Sequence, residues 1–175
     1  MARDIPDSIV LKRHRDLEGL RSAVWVRRGL LTMFLLLPAV ALANVFGQRP
    51  SPVTVTAPAA SLELYAADHL RGGLLWEARF RITAHRELKH ATLVLDKGWL
   101  EGMTTNTIEP SPLSEGSRDG KLVLVLGHIP AGETYALFMQ SQVNPTNVGR
   151  RPQNVRLYDG DQLLLTFRRK VTVFP

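Results

Sequence analysis

The chain changes its hydrophobic rhythm once. Gly29 to Gly47 (GLLTMFLLLPAVALANVFG) is a run of 19 residues with no charged side chain. Beyond it, apolar residues come at every second position in short bursts. About 20 apolar residues in a helix cross the hydrocarbon core of a bilayer, so the run predicts a transmembrane helix over 29–47. A period of two marks strands with one face in a core and the other in water.

The clearest burst is Leu74–Thr83. Leu74, Trp76, Ala78, Phe80 and Ile82 share one face; Leu75, Glu77, Arg79 and Arg81 share the other. Ser61–Ala66 and Thr134–Val143 alternate in the same way, and Ala91–Asp96 sets Leu93 and Leu95 against Thr92 and Val94. Lys121–Leu126 is apolar on both faces, which predicts a strand covered on both sides. Asp119-Gly120 and Pro130-Ala131-Gly132 read as tight turns. Val155–Tyr158, Asp159-Gly160 and Gln162–Phe167 carry the strongest hairpin signal, and Val171–Phe174 reads as a last strand. Residues 104–120 read as a polar loop and Asn144–Arg151 as a basic, turn-rich one. Gln48–Ala60 is a Pro- and Ala-rich tether that runs into a first strand. Short strands at this spacing, about eight or nine of them with no helical period between, predict an all-β antiparallel sandwich.

The organisation expected is therefore a cytoplasmic basic segment over 1–28, the span over 29–47, a linker and first strand over 48–60, and an exported β-sandwich domain over 61–175. Within the first segment Asp7 and Ser8 suit a helix cap, and Leu17, Leu20 and Val24 share one face of a short amphipathic helix. Charge supports the orientation. Residues 1–28 hold seven basic and four acidic side chains, and Lys12, Arg13, Arg15, Arg21, Arg27 and Arg28 precede the span, against Arg49 alone in the twenty residues after it. Lys and Arg stay on the cytoplasmic side, so the N-terminus is expected inside and the C-terminal domain outside the plasma membrane. Arg27, Arg28 and Trp25 would sit at the headgroups, Leu35 in the lipid, and Pro38 is tolerable within a span. Ala39 and Ala43 form a small-xxx-small pair suited to packing against another helix. A cleaved signal peptide is the rival reading, carried by Leu30–Leu37 and Ala41-Leu42-Ala43. Both readings export the domain.

Composition narrows the chemistry. The chain has no cysteine, which excludes disulfides and thiolate metal sites. His69, His85, His90 and His128 fall in the exported part; His85 and His90 flank a charged turn and read as solvated rather than metal-binding. Asp159 and Asp161 read as turn chemistry rather than a calcium cage. Ser117 and Asp119 lack an oriented base. No catalytic or cofactor motif occurs, so no enzyme activity and no cofactor is expected. Nucleic acid is a poor fit, because acids dilute the basic N-terminal segment. Two basic groups stand out: Arg150, Arg151 and Arg156, then Arg168, Arg169 and Lys170. Brought together they would form a cationic patch for an anionic envelope ligand.

Ile129-Pro130-Ala131-Gly132-Glu133-Thr134 is similar to the Pro-Gly-Glu turn that precedes a late strand in many exported sandwich domains. The layout resembles bacterial single-pass envelope proteins that carry one Ig-like or fibronectin-like β-sandwich behind an anchor. The resemblance implies an Ig-like fold, with Trp76 as its core tryptophan, and a binding or scaffolding role without catalytic residues. The expected function is a non-enzymatic, membrane-anchored interaction or accessory subunit. It would touch membrane lipid and dock a membrane-protein partner. The alternative is a secreted or anchored binder of anionic envelope ligands through the basic patch.

Overall fold

The computed structural model describes residues 21–43 and 48–175, in two units, Met1–Val45 and Phe46–Pro175. In the first, helix α1 spans Arg21–Leu42. At 1.5 Å per residue it is about 33 Å long, and its mean hydropathy of 1.5 suits a membrane anchor or a signal sequence. It begins ahead of the apolar run, so Trp25, Arg27 and Arg28 lie inside it, and the Arg28 guanidinium sits 5.3 Å from the Trp25 ring centre. Leu35 is exposed and Pro38 is within the helix; the Ala43 amide donates to the Ala39 carbonyl at 2.9 Å. The expected amphipathic segment before Arg21 and the end of the expected span, 44–47, lie outside the described residues.

The second unit is built from strands β1 (Pro50–Thr56), β2 (Ala60–Ala67), β3 (His69–Arg71), β4 (Leu75–Ala84) and β5 (Leu88–Leu95), followed by a 3-10 turn at Lys97–Trp99. Then come β6 (Met103–Glu109), β7 (Ser114–Arg118), β8 (Lys121–Ile129) and β9 (Thr134–Val143). The chain closes with β10 (Gly149–Pro152), β11 (Val155–Asp159), β12 (Gln162–Phe167) and β13 (Lys170–Phe174). One antiparallel sheet has the order β1-β2-β4-β9-β6 and a second β12-β11-β5-β8-β7; a small third sheet, β10-β13-β3, pairs β13 with β3 in parallel.

The two five-stranded sheets share one core. Leu62, Phe80, Ile82, Leu137 and Met139 come from the first; Leu93, Leu95, Leu124, Leu157 and Phe167 come from the second. The expected antiparallel β-sandwich is therefore the fold, with thirteen strands among the described residues rather than eight or nine. The extra ones are short or polar. The expected loop over 104–120 holds β6 and β7, and the expected basic loop holds β10. Edge position explains β7, exposed on both faces, and in β6 a register shift between Thr105 and Thr107 breaks the alternation between the buried Met103 and the half-buried Ile108. The opposite edge, β1, carries Pro50 and Pro52, which lack the amide that a further strand would need.

Trp76 is in the core as expected, but it shares the place with Trp99, whose side chain is fully buried in the 3-10 turn. The two rings stack at 5.6 Å, and Phe80 tilts against Trp99 at 5.3 Å. Gly98 makes that seat possible. A Cβ there would stand 2.1 Å from the Pro152 carbonyl oxygen, so only glycine lets the turn press against β10.

Candidate docking groove

The outer face of the second sheet departs from the sandwich pattern. In β8, Leu122, Leu124 and Leu126 point into the core, while Val123 and Val125 point outward and stay half-buried. The strand is thus covered on one face, not on both as its composition predicted. Registry lines up its neighbours. Val123 pairs with Val94 of β5 and Val94 with Arg156 of β11; Val125 pairs with Thr92, and Thr92 with Tyr158. On the far side Val123 faces Gly116 of β7, whose missing side chain leaves the row open.

The hairpin ends rise around this floor. The β7–β8 turn adds Arg118, Asp119 and Lys121, with Asp119 at φ 53° and Gly120 at φ 72°, the left-handed pair of a tight hairpin. The β11–β12 turn adds Gly160 and Asp161. The result is a groove of about 340 Å³ with Val94, Val123 and Thr92 in its floor and charges of both signs on its rim. Arg156 is held in it by Asp96, with Nη1 2.9 Å from Oδ1; Asn154 Nδ2 donates to the other carboxylate oxygen at 2.7 Å. An apolar centre with a polar rim is the anatomy of a protein interface.

The six basic residues singled out in the sequence do not converge. Arg150 and Lys170 share a face of the small sheet, opposite Thr172 and Pro152, and Arg168 is exposed just before it. Arg151 turns to Asn147, its Nη2 donating to Oδ1 at 3.1 Å. Arg156 belongs to the groove. Arg169 is structural: its side chain is 6% exposed, Nη2 donates to the Ala67 carbonyl at 2.7 Å and to Asp68 at 3.1 Å, and its guanidinium lies 5.5 Å from the Trp99 ring centre. Burial pushes its pKa below the ordinary arginine value, partly offset by Asp68. Length and charge resemble a rim arginine in sequence; partners distant in the chain, Ala67, Asp68 and Trp99, decide otherwise.

The remaining candidates have ordinary partners. Asp159 Oδ1 accepts the His90 amide at 2.8 Å, which is hairpin geometry. His85 Nδ1 lies 3.2 Å from the Ala57 carbonyl, and His128 pairs with Glu87 at 2.9 Å. Among the described residues no three histidine or acidic side chains gather as metal ligands.

Known proteins are similar to this chain in strand layout. No protein-family model matches it, and none of the curated proteins is similar to it in sequence. The chitin-binding domain of a hyperthermophilic chitinase from Pyrococcus furiosus is 14% identical, with a TM-score of 0.41, over 65% of this chain and 100% of that one. A non-cellulosomal cohesin from Archaeoglobus fulgidus is 11% identical, with a TM-score of 0.37, over 73% and 92% of the two chains. A PapD-like domain of human CEP192 is 10% identical, with a TM-score of 0.32, over 70% and 89%. The strand order above, and not these likenesses, carries the fold assignment.

Proposed function

We propose that this chain is a non-enzymatic, membrane-anchored subunit of a bacterial cell envelope that docks a partner protein in the groove across β8, β5 and β11. The observation that supports this reading is the pair of outward valines, Val94 and Val123, half-buried between charged hairpin ends. An outer sheet face facing only water is normally polar, so apolar residues there fit a surface covered by something else. The mixed charge of the rim favours a protein over a polyanion, because Asp119 and Asp161 would repel the latter.

The test is a pair of charge substitutions in the full chain. Val123→Lys places an ammonium on the groove floor, and Gln140→Lys does the same on the outer face of the first sheet. Both positions are on wet faces, so both variants are expected to melt near the wild type. A partner that co-purifies in constant ratio from gently solubilised native membranes should be lost with Val123→Lys and kept with Gln140→Lys. Equal retention by both, or a chain that purifies alone, removes the groove as a docking site.

A further inference from the structure

Beyond the groove, a second surface stands at the end of the sandwich where the chain enters it. Gln48 and Pro50 border the same cleft as Trp76 and Glu77, and Pro50 pairs with Ala67. Three other segments meet at this end. Leu75 pairs with Gln142, and the Val143 amide donates to the Leu74 carbonyl at 3.0 Å. The Gly72 amide donates to the Phe174 carbonyl at 2.8 Å, and Phe174 stacks on His69 at 5.8 Å. A Cβ on Gly72 would lie 3.0 Å from the Pro145 carbonyl oxygen, which brings the 144–148 turn alongside.

The side chains presented there are unusual for a solvated surface. Leu74 is 47% exposed, Leu75 54%, Val148 49% and Phe174 42%. No one strand accounts for them; a turn, a strand start, a loop and a C-terminal strand each supply one. Arg71 is paired with Phe174 in the small sheet, and Arg150 lies two residues beyond Val148. Of the nearby acids, Asp68 is paired to Arg169 and Glu77 to Arg79, leaving Glu101. The surface therefore combines exposed aliphatic and aromatic groups with arginines.

We infer that this end of the domain is a lipid-contacting face, seated in the headgroup layer of an anionic membrane through Leu74, Leu75, Val148 and Phe174. Two further observations select lipid over other occupants. The first strand opens at Pro50, eight residues after α1 ends at Leu42, so at most about 28 Å of extended chain leads from α1 to this end. Arginine and exposed apolar groups together also match the acyl–headgroup boundary, where the apolar part is buried and the guanidinium meets phosphate. The inference rests on α1 being an anchor.

Because the chain has no cysteine, one introduced thiol reports one place. Leu74→Cys, Val148→Cys and Ala131→Cys, the last in the β8–β9 turn at the other end, are each labelled in the full chain with a polarity-sensitive fluorophore. The chains are placed singly in nanodiscs of phosphatidylcholine and phosphatidylglycerol that contain spin-labelled lipid. Labels at 74 and 148 should shift to the blue and be quenched several-fold more than the label at 131. Equal quenching at the three positions in chains retained by the discs overturns the inference alone. Protection at 74 that requires two chains per disc also overturns it and assigns the face to a second copy. Release of the full chain from native membranes by alkaline carbonate overturns the anchor reading, and this one with it.

Discussion

Single side chains decide more here than their types suggest. Arg169 and Trp99 form a unit in which a buried guanidinium covers an indole, and neither role is marked by spacing, because the partners stand 70 positions apart in sequence. Tyr135 offers a direct test of burial. Packed against the core from β9, its phenol is desolvated, which raises its pKa above the ordinary tyrosine value. The folded chain then holds a proton that the unfolded chain gives up. Stability on this account is complete below the unfolded tyrosine pKa of about 10 and is lost as pH climbs through the higher folded value. Melting measured from about pH 9 to about pH 11 should fall in the wild type and fall less in Tyr135→Phe. Parallel curves for the two proteins would exclude Tyr135 as a cause.

At the scale of elements, what could be read from the sequence follows from burial. Strands β4 and β9 match their expected ranges within a residue, because each has one face in the core and one in water over its whole length. Strands β6 and β7 escaped: SEGSR has no apolar residue at all, and in MTTNTIE the two core-facing residues, Met103 and Ile108, are five apart because the register shifts between Thr105 and Thr107. Strand β8 was legible in a different way. Its double apolar pattern signalled something on each face, and the structure supplies the core on one and leaves the groove on the other. Gly98 marks a turn before Trp99 in the sequence, but the burial of Trp99 was invisible because it rests on contacts from β4 and the β12–β13 connection, with no local period. Its fit against β10 is tight enough to measure. Gly98→Ala must push the Pro152 carbonyl away or tilt Trp99, and a strained core substitution of this kind costs about 1–3 kcal/mol or more. Denaturant unfolding should show that loss. A variant as stable as the wild type would mean that the turn and β10 separate freely.

For the whole molecule, the orientation expected from flanking charge has a plain readout. A protease site placed after Pro175 should be cut from outside in cells stripped of any outer layer but with the plasma membrane intact, and a site after Met1 only once that membrane is opened. Cutting after Pro175 only in lysed cells would reverse the topology and remove any envelope role for the groove. If α1 is an anchor, confinement to a membrane would also change what the prolines of β1 accomplish. Molecules held in a plane meet side by side in repeated orientation and at high local density, the conditions under which open sheet borders zip into ribbons. Pro50 and Pro52 sit on one such border and withhold the amides that a neighbour would grip. Crowding on a lipid surface would thus leave that side of each copy separate and free to diffuse.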